Sequence, residues 1–110
     1  MTSTHSSDPI TLTLKPLMDE RRLTYRRLAE LTREADPEDR GVTYAYLAGV
    51  VSGREHPSPR ALELIASSLD IDATFFAEYR LDQLRRELNA REVGFEAAWR
   101  RFTDLNQLEP

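Results

Sequence analysis

Apolar residues recur along this chain at intervals of three and four, broken at short distances by residues that start or stop helices. Leu14, Leu17 and Met18 predict a helix from about Leu14 to Arg22, with Pro16 early enough to be tolerated in its first turn. Thr24 can cap a second helix, which places Leu28 and Leu31 on one face and ends before Pro37, because proline pushes its predecessor out of the helical region. Gly41 supplies a turn with positive φ, Thr43 a cap, and Leu47 and Val50 the inward face of a short helix, Tyr44 to Ser52, that Gly53 ends. Ser58 and Pro59 open a fourth helix to Leu69, with Leu62, Ile65, Ala66 and Leu69 as its stripe. Asp72 caps a fifth, which starts with Phe75 and Phe76.

The pattern continues as Leu81, Leu84 and Leu88, breaks near Gly94, and resumes as Phe95, Ala98, Trp99, Phe102 and Leu105, predicting two further amphipathic stretches. No strand-like alternation of useful length and no internal repeat interrupts this, so the fold class is all-α.

Composition narrows the picture. At 110 residues the chain accommodates one domain with an appended element. Without cysteine, disulfides, thiolate metal sites and cysteine nucleophiles are excluded, and a reducing cytoplasm is compatible. The opening MTSTHSSDP has no basic region and no apolar run; it reads as a flexible polar arm over residues 1–12, with no membrane association. No cofactor or metal is called for, and with two histidines in predicted loops and no phosphate-cradling glycine loop, no catalytic constellation emerges.

A net charge of −4 argues at first against a nucleic-acid partner, but distribution matters more than the sum. Lys15 to Arg60 holds nine basic and eight acidic side chains, whereas Ala61 to Pro110 holds six basic and ten acidic. Fourteen of the fifteen cations are arginine, suited to bidentate phosphate or base contacts and equally to a solvated helical surface.

The spacing of these signals resembles the lambda-repressor-like helix-turn-helix domain of the Xre family of DNA-binding regulators, over roughly Leu14 to Phe76. Leu28 and Ala29 match its first-helix pair, Gly41 and Val42 its turn, Leu47 and Val50 its recognition-helix anchors. Gly53-Arg54 and Pro57-Ser58 match the pairs before its fourth helix, and Leu69, Ile71 and Phe75 the close of that helix and the start of the fifth. Two departures stand out. Arg33 to Arg40 look like an eight-residue insertion between the two helices of the motif. Met18 and Val51 occupy positions where the family often carries a buried Arg and Glu, an exchange that an apolar pair can make without loss.

The resemblance implies a five-helix domain over residues 13–79, a C-terminal helical extension over 80–110, and a function as a sequence-specific double-stranded DNA-binding regulator. The helix Tyr44 to Ser52 would then lie in the major groove. Tyr44, Ala45, Ala48 and Gly49 would face the groove, with Thr43 and Tyr46 at its flanks; Tyr25, Arg26, Arg27 and Arg54 would meet phosphate. That reading face lacks Gln, Asn and Arg, so it offers thymine-methyl contacts and tyrosine hydroxyls in place of bidentate base pairs. Alternatively the arginines simply pair with Glu30, Glu34 and Glu55. Glycine at position 49 suggests crowding by DNA or by another helix. Leu84, Leu88, Phe95, Trp99 and Phe102 would hold a homodimer, unless the aromatic stripe is ordinary core. The rival function is an antitoxin or protein-binding adaptor whose C-terminal half holds another protein.

Overall fold

Four side-chain oxygens set the helix starts. Thr24, Thr43 and Ser58 each accept a hydrogen bond from the backbone N–H three residues on, at 3.1 Å, and Asp72 accepts one from Thr74 at 2.9 Å. In the computed structural model, which describes the backbone of residues 5–107 and the side chains up to Arg101 except that of Val93, all regular structure is helical. The elements are α1 (Ile10–Glu20), α2 (Tyr25–Ala35), α3 (Tyr44–Ser52), α4 (Pro59–Ser68), a 3-10 turn (Ala73–Phe75) and α5 (Ala77–Gln107).

The chain divides into two units, Met1–Arg80 and Leu81–Pro110. In the first, α2 packs on α3 and α4 while α1 packs on α3. The core they enclose holds Leu14, Met18, Leu28, Leu47, Val50, Ile65 and Phe76, all sealed from solvent or nearly so, with Val51 packed at its edge. Met18 and Val51 thus form part of an apolar interior.

α1 starts four residues earlier than Leu14 and ends before Arg22. The flexible arm expected over residues 1–12 does not extend over Ser6 or Ile10 to Leu12, because Ile10 is buried in α1 and the chain before it is tied down. The Ser6 N–H donates to the Phe75 carbonyl at 2.9 Å, and Arg80 donates to the carbonyls of Ser6, Thr74 and Phe75. No local side chain caps α1; the Glu78 carboxylate does so from the far end of the unit, accepting the Ile10 N–H at 2.9 Å.

Pro16 consequently stands inside α1, not in its first turn. Having no N–H, it cannot donate the helical hydrogen bond to the carbonyl of Leu12, a residue that is 63% exposed. α1 and α4 both end in a Schellman motif: the Leu23 N–H returns to the Met18 carbonyl and the Ile71 N–H to the Ala66 carbonyl. The left-handed residues are Arg22 and Asp70, not glycine.

The fifth helix does not begin at Phe75. Asp72 caps the short 3-10 turn instead, and Phe75 and Phe76 meet edge to face with ring centres 5.5 Å apart. The break expected at Gly94 is also absent, since α5 runs unbroken through it. A single glycine costs a helix about 0.8–1.0 kcal/mol relative to alanine, which weakens a helix of this length without ending it.

Candidate nucleic-acid interface

α3 is seated by what lies behind it. Leu47 and Val50 are fully buried, Thr43 caps the start, and Gly53, at φ +81°, ends the helix in the left-handed region. The turn that delivers the chain to α3 is pinned to α2 by Thr32, whose buried hydroxyl donates to the Ala29 carbonyl at 2.7 Å and accepts the Val42 N–H at 3.0 Å. Gly41 lies against the same stretch. Its φ is +60°, and a Cβ there would sit 2.5 Å from the backbone nitrogen of Arg33, so both conformation and space demand glycine.

The segment Arg33 to Arg40 finishes α2 and then wraps around one side chain. Asp36, 8% exposed, accepts the backbone N–H groups of Glu38 at 2.9 Å, Arg40 at 3.2 Å and Gly41 at 2.8 Å, and pairs with the guanidinium of Arg60 on α4. These bonds, led by those from Glu38 and Gly41, hold its carboxyl down to about 2 against burial, which acts the other way. The stretch from Asp36 to Arg40 is therefore an anchored loop that connects α2, the α3 entry and α4. Neither Asp36 nor Arg60 stands out in the sequence, because Asp36 reads there only as the residue before a proline.

On the outward side of α3, Thr43, Tyr44 and Ala45 are exposed and Ala48 is half-buried. Arg26 of α2 lies over the Tyr44 ring, 5.4 Å from its centre, which brings a cation from one helix onto the outward face of the next. Arg54 is exposed just past α3 and has no ion pair among the described residues. Arg27 is different: it pairs with Glu30 at 3.1 Å and Glu34 at 3.9 Å. Tyr25 is half-buried against the core, with the Lys15 ammonium 5.3 Å from its ring centre.

Two residues expected on this face are otherwise engaged. Gly49 is buried, and a Cβ there would come within 2.5 Å of Glu55 Cγ and 3.4 Å of an Arg54 guanidinium nitrogen. The crowding comes from the turn after α3, which folds back as the Glu55 N–H donates to the Gly49 carbonyl at 3.0 Å. The Tyr46 hydroxyl accepts the Ser58 N–H at 3.1 Å, so it joins α3 to the α4 cap. Beside it opens a shallow cleft of about 300 Å³ lined by Val42, Thr43, Tyr46, Ser58 and Arg60. Arg60 brings no net positive charge there, since Asp36 offsets it.

The C-terminal set lies on α5. Leu84, Leu88, Phe95 and Trp99 are all more than half exposed, and the Phe95 and Trp99 rings stack with centres 6.4 Å apart. The side chain of Phe102 lies outside the described residues. Among the described residues no helix is long and apolar enough to cross a membrane. No protein-family model, curated protein or solved structure matches the chain.

Proposed function

We propose that the protein is a sequence-specific double-stranded DNA-binding regulator of lambda-repressor-like type, that it acts as a homodimer, and that α3 enters the major groove. One observation carries this reading. α3 is fixed from behind by Leu47, Val50 and its cap, and its outward face of Thr43, Tyr44, Ala45 and Ala48 lies between Arg26 and Arg54, two cations with no carboxylate partner among the described residues. Arg26 and Arg54 would meet phosphate, while Tyr44 and the alanines would read base edges. Tyr46 and Gly49 support this face from within. Arg27, already held by two glutamates, contributes less.

Selection from a random duplex library at two salt concentrations tests the reading. A half-site or inverted repeat is the expected product. Arg54→Ala is expected to weaken binding to all sequences and lower the salt slope by about one unit, whereas Tyr44→Ala shifts sequence preference. If no sequence is enriched and both variants bind as the parent does, this face is not a DNA site. The rival adaptor reading draws on the donor-poor face and the exposed apolar residues of α5, and an empty selection would favour it.

A further inference from the structure

From Leu81 onward α5 alternates steps of three and four through Leu81, Leu84, Leu88, Arg91, Phe95 and Ala98. This is the 3.5-residue period of a coiled-coil seam, narrower than the stripe a helix lays on a globular core. Every one of these positions is exposed, four of them large apolar side chains. The seam carries one charge, Arg91, and its flanks carry Arg85, Glu87 and Glu92.

We propose that this seam binds a second copy of the chain, and that the two α5 helices run antiparallel. The charges decide the direction. In a parallel pair in register, Arg91 would face its own copy inside the seam. Glu87 would flank the partner's Glu92, and twofold symmetry would repeat that like-charge contact on the other side. Turned antiparallel, with Leu84 level with the partner's Phe95 and Leu88 level with the partner's Arg91, the exposed Arg85, which shares its guanidinium with Asp82 of its own helix, flanks the partner's Glu92, and twofold symmetry repeats the pair. Leu81 then meets the partner's Ala98, large against small, and the Arg91 stem lies along the partner's Leu88 with its charged head at the rim. Arg80 and Arg101 flank one another in this register, but Arg80 is already committed to three carbonyls of its own chain. The antiparallel seam deepens the dimeric part of the proposed function and rests on it; it needs no DNA.

Sedimentation equilibrium of the full chain without DNA is expected to give a dimer at micromolar concentration. Glu92→Arg should raise the dimer Kd about tenfold, since the two symmetry-related exposed contacts between Arg85 and position 92 turn from attractive to repulsive, and Arg85→Glu should do the same while the double variant recovers. Parallel helices reverse the sign: Glu92→Arg would then face Glu87 and tighten the dimer, which would overturn the proposal. The chain has no cysteine of its own, so Leu81→Cys gives a second readout. Antiparallel packing holds the two substituted positions about 25 Å apart along the axis, so oxidation yields no intermolecular disulfide; rapid disulfide formation would overturn the antiparallel arrangement. A monomer at high micromolar concentration would overturn the seam itself. A dimer that selects no DNA sequence removes the DNA reading alone, and a monomer that binds a selected half-site removes the seam alone.

Discussion

α3 and α5 are helices held by opposite means. α3 has nine residues, too few to persist alone in water, and it stands because Leu47 and Val50 are sealed by α1 and α2 while Thr43 and Gly53 fix its ends. α5 has 31 residues and, past Arg80, pairs charges along its own surface, Asp82 with Arg85 at 2.9 Å and with Arg86 at 3.0 Å, while its leucines stay exposed. A short apolar helix is thus evidence about the neighbours that bury it. A long charged helix with a narrow apolar seam is evidence about surface that burial within one chain does not explain.

Substitutions can break that contrast. The largest expected effect is in the first unit: Phe76→Ala should cost about 3–5 kcal/mol in urea unfolding, whereas Leu88→Ala should change monomer stability by under about 0.5 kcal/mol and weaken self-association instead. Equal losses would erase the distinction. Gly41→Ala comes next, at about 2–3 kcal/mol, because it combines a disfavoured φ with a Cβ pressed on the α2 backbone. A thermal melt checks it.

Asp36 gives a pH signature. The fold binds its charged form, so the stability it contributes is complete above the ordinary value of 3.8 and is lost as pH falls towards about 2. Urea midpoints measured from about pH 6 to about pH 2 should show a shallower acid decline in Asp36→Asn than in the parent. The smallest effect is a gain. A Cβ at Gly94 meets nothing within 4 Å, so Gly94→Ala should stabilise α5 by about 0.8–1.0 kcal/mol and raise its helicity by circular dichroism.

Much of the first unit was legible from sequence because caps and turns are local chemistry. Thr24, Thr43, Ser58 and Asp72 each cap a backbone N–H two or three residues ahead, and Gly41 and Gly53 take the positive φ that their positions suggested. What was illegible depends on partners distant in sequence or on residues of ordinary type. Ile10 needs Glu78, 68 positions away, to start α1. Arg22 and Asp70 end helices in a conformation usually left to glycine. Asp36 gathers three N–H groups from a loop whose composition reads only as polar. At the candidate site, the exposed α3 face followed from helical periodicity, but the cation over Tyr44 and the turn packed on Gly49 required the fold.

The bond from Ile10 to Glu78 also orders events during synthesis. The first turn of α1 leaves the ribosome long before the carboxylate that caps it, as does Ser6 before Phe75 and Arg80 exist to hold it. At translation rates of about 5–20 residues per second, several seconds pass in which this end of the chain has no partner. Chains stalled before Glu78 should accordingly expose their N-terminal residues to protease, and chains stalled well beyond Arg80 should not.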